Sequence, residues 1–384
     1  MNVLFLTAAT GGGHVKAAQA LTEHMEKQLP GCKTRLIDAL KYINPIVDRL
    51  ITGTYLNTVK VLPGLYGKFY DLSEKDETIT KLVRGLNNIL SNRLLQLFQE
   101  DMPDAVVCTH TMPLQMMARL KRKGLVSVPV VGIVTDYTNH YFWKLDEIDA
   151  FIVAHECIKD DMIKMGLREN SIHVCGIPVA ERFANDHTDR RTCLAKLGLE
   201  NKPTVLVMGG SLGLGNIEQV FRSLLYIKQE IQIVVVTGSN KKLLQQLGAL
   251  SADYSNIRIL GYTEKVSELM SASSLIITKP GGVTISEALV KRLPICIMDP
   301  IPGQEERNAK FLRDSGAAFR LTYRDDLEYL LEHTLLKPNV LKRMSEAAGR
   351  LAKPNACEEI SDIVERLVQK QPEGYFIRQL SQSR

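Results

Sequence analysis

The most informative stretch of the sequence runs from Thr278 to Leu312 and reads TKPGGVTISEALVKRLPICIMDPIPGQEERNAKFL. Its apolar runs predict a strand at Leu275–Thr278 and a buried strand at Ile295–Met298, with a helix between them. Gly281 and Gly282 lack side chains at the point where the backbone must turn sharply. A strand, a helix and a second buried strand in this order indicate a parallel α/β sheet.

The helix that follows the two glycines is predicted to open with unpaired N–H groups at Val283, Thr284 and Ile285. Such a helix start binds phosphate through free donors and the positive end of its dipole. Glu287 lies in the first turns of the same helix, where a carboxylate can accept hydrogen bonds from a ribose diol. Gly281, Gly282, Val283, Thr284 and Glu287 are therefore candidate donor-binding residues.

A Pro-Gly loop follows the second strand and carries Gln304, Glu305 and Asn308. This loop falls at the carboxyl edge of the sheet, which is where open α/β sheets bind their ligands. The polar side chains are suited to holding the hydroxyl groups of a sugar. Together with the helix start, they indicate a site for a nucleotide diphosphate sugar.

Short apolar runs alternate with helical patterns along both halves of the chain, which indicates two parallel α/β sheets. The predicted strands are Val3–Thr7, Thr34–Asp38, Ala105–Thr109, Val130–Val134, Ala150–Val153, Thr204–Met208, Gln232–Thr237, Ile257–Leu260, Leu275–Thr278, Ile295–Met298 and Ala318–Arg320. We expect an N-terminal domain over residues 1–178, a C-terminal domain over 179–365, and a tail over 366–384 that packs back on the first domain.

The composition excludes several classes of protein. Apolar residues make up 45% of the 384 residues and charged residues 24%, as in an ordinary soluble globular protein. No apolar run reaches the roughly 18 residues that a membrane-spanning helix needs, and the N-terminus does not have the pattern of a signal peptide. Seven cysteines without CxxC pairs indicate reduced thiols in a cytoplasm, and a net charge of +5 does not indicate a nucleic-acid binder.

Residues 43–70 form an apolar and basic excursion between predicted strands, INPIVDRLITGTYLNTVKVLPGLYGKFY. Large apolar side chains alternate here with basic ones, which is typical of a segment that rests on an anionic lipid surface. The alternative is a helical insertion that buries its own apolar face, since both share the same periodicity. The residues expected to contact acceptor lipid or membrane are Lys60, Leu62, Leu65, Tyr66, Lys68 and Phe69.

The segment ATGGGHVKAAQAL, residues 9–21, predicts a triple-glycine turn that runs into a helix. Gly12 and Gly13 allow substrate to approach the backbone and are candidate donor-binding residues. His14 stands in the first helical turn. The helix dipole disfavours an imidazolium at this position, so His14 is expected to be neutral and able to accept a proton as a general base. The alternative is a histidine that only caps the helix.

A polar loop, TDYTNHYFW, follows a predicted buried strand at residues 135–143. Asp136 is predicted to orient a base or bind a hydroxyl group, which makes it a second candidate catalytic residue. His140 and Trp143 are predicted to contact the acceptor. The alternative is a polar loop that is fixed by an aromatic anchor.

Two further loops of the second half are predicted to contact the donor. GGSLGLGN, residues 209–216, does not have the spacing of a dinucleotide fingerprint, and we interpret it as backbone that frames phosphate, with Ser211 as a hydroxyl donor. A plain tight turn is the alternative. GYTEKVSEL, residues 261–269, could present Gly261, Tyr262 and Val266 to a uracil edge.

The chain resembles the processive diacylglycerol glucosyltransferases of bacteria and the monogalactosyldiacylglycerol synthases of plants, which are GT-B enzymes of glycosyltransferase family 28. The resemblance covers nearly the whole chain and is carried by TAATGGGH, NPIV, TDYTNHYFW, GIPV, GYTEKVSELM, KPGGVTISEAL and PGQEERNA. It implies two Rossmann-like domains facing a central cleft, an inverting transfer and no metal or other cofactor. By position it implies that His14 is the base, Glu287 contacts ribose, Gln304 and Glu305 contact the donor sugar, and His140 and Trp143 face the acceptor.

The sequence therefore predicts a hexosyltransferase that uses UDP-glucose or UDP-galactose and a lipid acceptor such as 1,2-diacylglycerol. It is expected to associate peripherally with the cytoplasmic face of the cell membrane through an anionic lipid surface, and to bind no nucleic acid. The alternatives are a GT-B enzyme with a soluble acceptor, a UDP-sugar 2-epimerase-like enzyme, and a UDP-sugar-binding regulator without catalysis.

Overall fold

A computed structural model describes residues 1–8, 12–45, 93–98, 100–185, 188–227, 230–321, 333–335 and 337–371, together with the single residues 49, 53, 64 and 67. Among these residues, no helix combines the length and the apolar character that crossing a bilayer requires. The chain forms two compact units, and it passes from the first unit to the second between Ala180 and Glu181.

The first unit contains a parallel sheet of six strands in the order β2-β1-β3-β4-β5-β6. Its strands are β1 (Asn2–Thr7), β2 (Lys33–Asp38), β3 (Ala105–Cys108), β4 (Val130–Ile133), β5 (Ala150–Ile152) and β6 (Ile172–His173). Its N-terminal part includes the helices α1 (Gly12–Gln28), α2 (Ala39–Ile43), α3 (Thr111–Arg122) and α4 (Glu156–Lys164), with single 3₁₀ turns at Tyr141–Trp143 and Glu169–Ser171.

The second unit repeats this plan with the strand order β12-β11-β10-β7-β8-β9, again parallel throughout. Its strands are β7 (Thr204–Met208), β8 (Gln232–Val236), β9 (Ile257–Leu260), β10 (Leu275–Thr278), β11 (Ile295–Ile297) and β12 (Ala318–Arg320). Its described helices are α5 (Glu181–Ala184), α6 (Arg190–Leu197), α7 (Ile217–Leu224), α8 (Lys241–Leu250), α9 (Val266–Ala272), α10 (Gly282–Val290), α11 (Gln304–Asp314) and α12 (Pro338–Leu351).

Each sheet has a point at which the chain reverses its direction of strand addition. In the first sheet this point lies between β1 and β3, because the chain adds β2 on one side of β1 and β3 on the other. In the second sheet it lies between β7 and β10. The loops at the carboxyl ends of such strands diverge and leave a crevice, so these two places are the expected ligand sites.

The predicted strands are all present, with each end within one residue of its expected position. Central strands such as β3, β7 and β10 are buried along their whole length, because helices cover both faces of a parallel sheet. This continuous apolar pattern is what made them recognisable in the sequence. Strand β6 was not predicted, since two residues are too few to show a period.

The structure differs from the predicted domain division near the C-terminus. Helix α13 (Ala356–Gln369) belongs to the first unit, although residues up to 365 were assigned to the second domain. Its apolar face, which includes Ile360 and Val364, is buried in the same core as Leu21 and Met25 of α1. The chain therefore returns to the first unit near residue 355. The tail beyond residue 371 lies outside the described residues.

Candidate active site

Helix α10 begins directly after strand β10 and has no side-chain cap among the described residues. The N–H group of Ile285 donates to the carbonyl oxygen of Gly281 at 3.0 Å, so it is not free as predicted. The N–H groups that lack an intrahelical acceptor are one residue earlier in the chain, at Gly282, Val283 and Thr284. The helix start keeps three donors for a ligand, shifted by one position from the prediction.

Gly281 is not required by the protein's own geometry. Its φ of −72° and ψ of 133° suit any residue, and a Cβ added there would meet no atom within 4 Å. The space over the helix start is therefore open. The absence of a side chain at this position is explained if a ligand approaches the backbone closely.

The turn before α10 is held by side chains from α11. Asn308 is fully buried, and its Nδ2 donates to the carbonyl oxygen of Pro280 at 2.9 Å. Lys279 Nζ lies 2.9 Å from Glu305 Oε1, and the other carboxylate oxygen of Glu305 accepts from the N–H of Ile301 at 2.8 Å. Through these contacts the GQExxN motif holds the KPGG turn in place, which gives a structural reason for the presence of both motifs.

The contacts of Glu305 and Asn308 differ from the roles predicted for them. Both side chains are buried and fix the turn before α10, so these contacts do not depend on a donor sugar. Gln304 opens α11 after Gly303, whose φ of 97° favours glycine, and it is only half-buried. Glu287 is buried within α10, with 5% of its surface exposed. Contact of these side chains with sugar or ribose remains a prediction.

The glycine loop after β7 is shaped mainly by contact with the loop after β8. A Cβ on Gly213 would lie 2.0 Å from the carbonyl oxygen of Thr237, and one on Gly238 would lie 2.5 Å from that of Ser211. The N–H of Ser239 donates to the same Ser211 carbonyl at 2.9 Å. Gly213 and Gly238 are therefore needed for close packing of two loops. Contact of Ser211 with phosphate remains a prediction.

The residues predicted to face a uracil edge follow β9. The Tyr262 side chain is 65% exposed, whereas Val266 is buried as the first residue of α9. A Cβ on Gly261 would come within 3.2 Å of the Leu244 side chain. Tyr262 is thus the accessible side chain of this group.

His14 in the first unit is held by two contacts to one ring nitrogen. Its Nδ1 lies 2.9 Å from the carbonyl oxygen of Thr109 and 2.8 Å from the hydroxyl oxygen of Thr135. A carbonyl oxygen can only accept, so Nδ1 carries the proton and donates it to Thr109. The lone pair of the neutral ring is consequently on Nε2.

The charge state of His14 is set by its surroundings. Burial lowers the pKa of the His14 imidazole to about 4, against the opposing effect of its hydrogen bond to the Thr109 carbonyl. The ring is therefore neutral at ordinary pH, as the sequence predicted. A neutral ring with a lone pair on Nε2 can accept a proton.

His110 is a candidate functional residue that the sequence analysis missed. It caps α3, where its Nδ1 accepts from the N–H of Met112 at 3.1 Å, so the neutral ring carries its proton on Nε2. The rings of His14 and His110 meet edge to face, with centroids 4.7 Å apart. Burial and the neighbouring His14 hold the pKa of His110 well below its usual value. The motif HTM directly after a buried strand was the available signal.

The comparisons with known proteins identify the family. A family model described as monogalactosyldiacylglycerol (MGDG) synthase matches residues 14–179, and one described as glycosyltransferase family 28 C-terminal domain matches residues 204–367. The processive diacylglycerol beta-glucosyltransferase of Bacillus licheniformis is 31% identical over 95% of this chain and 95% of its own length. That of Staphylococcus carnosus is 29% identical over 90% of this chain and 87% of its own. The chain belongs to this family of glycosyltransferases.

Solved structures confirm the GT-B fold. MurG of Acinetobacter baumannii is similar with a TM-score of 0.62 at 17% identity, over 95% of this chain and 99% of MurG. The UDP-GlcNAc 2-epimerase of Neisseria meningitidis, solved with UDP-GlcNAc, has a TM-score of 0.61 at 14% identity, over 95% of this chain and all of that chain. At these identities the likeness shows the fold alone, which transferases and epimerases share.

The remaining predicted residues of the first unit lie at the carboxyl edge of its sheet. Gly12 and Gly13 open α1 immediately before His14. Asp136 is half-buried and directly follows Thr135. The contacts that orient His14 through Nδ1 come from Thr109 and Thr135. A role for Asp136 in orienting a base or binding a hydroxyl group remains a prediction.

His140 and Trp143 are both buried, each with 6% of its surface exposed. His140 caps the 3₁₀ turn at Tyr141–Trp143 by accepting from the N–H of Phe142 at 3.1 Å. This cap fixes the turn, and contact of His140 and Trp143 with the acceptor remains a prediction. The predicted membrane residues lie outside the described residues: Lys60, Leu62, Leu65, Tyr66, Lys68 and Phe69.

Proposed function

We propose that this enzyme transfers a hexose from UDP-glucose or UDP-galactose to the hydroxyl group of a membrane lipid such as 1,2-diacylglycerol, with inversion at the anomeric carbon and without a metal ion. The names of its sequence relatives support diacylglycerol as the acceptor and glucose as the sugar. Structural neighbours solved with UDP, among them the MnaA of S. aureus with a TM-score of 0.63, support a UDP-sugar donor for a chain of this fold.

The observation that carries the proposal is the state of His14. Its Nδ1 proton is committed to the Thr109 carbonyl, and burial keeps the ring neutral, so Nε2 is a base without a proton. In the transfer, Nε2 takes the proton of the acceptor hydroxyl, and the acceptor oxygen forms a bond to the anomeric carbon. The bond from that carbon to the UDP oxygen breaks, and its electron pair leaves with the diphosphate. One displacement of this kind inverts the anomeric centre.

The leaving diphosphate must be stabilised as its charge develops. The uncapped start of α10 supplies fixed N–H donors and the positive end of a helix dipole, and such preorganised donors are effective in a site that excludes water. Asn308 helps to fix the position of these donors, since its side chain donates to the Pro280 carbonyl in the preceding turn. This arrangement favours a mechanism in which protein dipoles replace a metal ion.

We also propose that the enzyme works at the cytoplasmic face of an anionic membrane. The basis is the sequence of residues 43–70, in which basic and large apolar residues alternate. A lipid acceptor requires such contact, whereas a soluble acceptor does not. A test of membrane contact by residues 43–70 is therefore also a test of the lipid acceptor.

The direct experiment incubates the protein with radiolabelled UDP-glucose, UDP-galactose or UDP-GlcNAc, vesicles that contain diacylglycerol, and excess EDTA. We expect labelled β-hexosyl diacylglycerol, with the anomer assigned by NMR. Labelled product only with a soluble acceptor, 2-epimerised sugar nucleotide, or activity that requires added Mg²⁺ or Mn²⁺ would each contradict a stated part of the proposal.

The variant His14→Ala tests the base within the same assay. We expect transfer to fall by about 10²- to 10⁴-fold, which is the usual contribution of a general base. UDP binding should remain near normal, because the proposed donor site is in the second unit. A variant that keeps more than roughly a tenth of the wild-type rate would contradict the role of His14 as base.

A further inference from the structure

Lys279 lies in the turn that leads into α10, the helix whose start is proposed to bind the diphosphate. It directly follows β10, and the N–H of Gly281 donates to its carbonyl oxygen at 2.9 Å. This hydrogen bond closes a tight turn between Lys279 and Gly281, the residue before α10. The backbone of Lys279 is therefore fixed relative to the free N–H groups of the helix.

The side chain of Lys279 lies between the glycine loop after β7 and the start of α11. A Cβ on Gly215 would come within 3.2 Å of the Lys279 Cδ, and the φ of 98° at Gly215 favours glycine as well. The ammonium group then reaches Glu305 Oε1 at 2.9 Å. Strands β7 and β10 flank the point where the second sheet reverses direction, so Lys279 lies at the expected ligand crevice.

Among the residues that the structure describes, the contacts of the Lys279 ammonium group leave part of its hydrogen-bonding capacity unused. It has three N–H donors, and among the described residues Glu305 is the one carboxylate that pairs with it. The two side chains are only 11% and 12% exposed, so water has little access. A buried charged donor with spare hydrogen-bonding capacity is costly unless a ligand uses that capacity.

Glu305, by contrast, uses both of its oxygen atoms. One pairs with Lys279, and the other accepts from the N–H of Ile301. The carboxylate is therefore anchored to the protein without the lysine, whereas the lysine has no second anchor among the described residues. This asymmetry means that the ammonium group can share its charge with a new anion while Glu305 keeps its position.

We propose that Lys279 is a counter-ion for the donor diphosphate, and that Glu305 holds its ammonium group beside the start of α10 when the nucleotide is absent. The inference rests on the proposed function, since it requires a UDP-sugar in the second unit. Upon binding, the ammonium group donates its spare N–H groups to phosphate oxygens. It adds a full positive charge to the partial charge of the helix end, which stabilises UDP as the leaving group.

The test measures the affinity of the full-length protein for UDP and for uridine by calorimetry. Lys279→Met removes the charge but keeps the length of the side chain, and it should weaken UDP binding by roughly ten- to a hundred-fold, as expected for charged hydrogen bonds. Uridine binding should not change, because uridine lacks phosphate. The matched control is Lys310→Met on α11, where Lys310 is exposed and pairs with Asp314. That control should bind UDP as the wild type does.

Glu305→Gln separates a counter-ion from a structural ion pair. Gln keeps an acceptor for the Ile301 N–H but releases the ammonium group, so UDP affinity should be unchanged or higher. A purely structural ion pair would lose UDP affinity and melting temperature to the same extent whichever partner is replaced. If Glu305→Gln and Lys279→Met show such equal losses, the inference is overturned. Normal UDP affinity in Lys279→Met would overturn it as well.

A double variant keeps the test valid if Lys279→Met alone does not fold. Lys279→Met with Glu305→Met replaces the buried ion pair by two apolar side chains, which is often neutral for stability. This protein should fold and still bind UDP weakly. Wild-type protein that binds neither UDP nor uridine would instead refute the proposed function, so the two failures are distinguishable.

Discussion

The low pKa of His14 leads to a specific prediction for the pH dependence of transfer. The profile of kcat/KM reports the pKa of the base in the free enzyme. With a pKa of about 4, His14 is roughly 90% neutral at about pH 5, whereas a histidine with the ordinary pKa of 6.5 is roughly 3% neutral there. The two cases differ by about thirty-fold in the amount of competent base.

The assay measures initial rates between about pH 4 and 8 in micelles of diacylglycerol and an uncharged detergent, so that the lipid itself does not titrate. We expect kcat/KM to remain nearly constant down to about pH 5 and to fall tenfold per pH unit only below about pH 4. Circular dichroism at each pH shows whether the protein is folded. An acid limb centred near pH 6.5 in folded protein would refute the proposed environment of His14.

The same shift makes a prediction for stability. The unfolded chain binds a proton at His14 below about pH 6.5, and the folded protein does not until about pH 4. His14 therefore costs no stability above about pH 6.5, and stability falls as the pH falls from there to about 4, by up to about 3 kcal/mol. The variant His14→Gln lacks this titration, so urea unfolding at several pH values should show a shallower decline. Parallel curves for both proteins would contradict the prediction.

Three further variants test other parts of the site and of the sequence. His110→Asn keeps a cap for α3 but removes the ring beside His14, so kcat should fall while the UDP affinity and the melting temperature stay near those of the wild type. An unchanged kcat would mean that His110 acts only as a helix cap. Gly281→Asp should abolish UDP binding by repulsion yet slightly raise the melting temperature, because Asp is a good N-cap in open space, and Gly281→Asn serves as the uncharged control. Replacing Lys60 and Lys68 with Glu should reduce sedimentation with anionic vesicles and slow transfer to lipid, since each basic residue near such a surface contributes about 1 kcal/mol; equal pelleting at low salt would contradict membrane contact by this segment.

The positions and ends of most strands were readable from the sequence because they depend on neighbouring residues. A strand that is buried on both faces has an unbroken apolar run, and glycines or prolines mark where it ends. The same local signals placed the free helix start after Gly281 within one residue. They also identified His14 as a neutral residue in a first helical turn.

Contacts between distant parts of the chain were decided by the tertiary structure. The sequence could not show that Asn308 and Glu305 support the turn at Lys279 and Pro280, because only the adjacency of β10 and β11 brings α11 to that turn. The role of Gly213 in packing against Thr237 likewise depends on β7 lying beside β8.

The two histidines of the first unit show the division most clearly. The sequence by itself placed His14 in the first turn of the helix that follows β1, since this is a local pattern. Only the pairing of β1 with β3 brings Thr109 and His110 to it across a separation of 95 residues between His14 and Thr109. These contacts decide which nitrogen of His14 carries the proton and how far burial lowers the pKa of its ring. Charge and hydrogen bonding act through space and not along the chain.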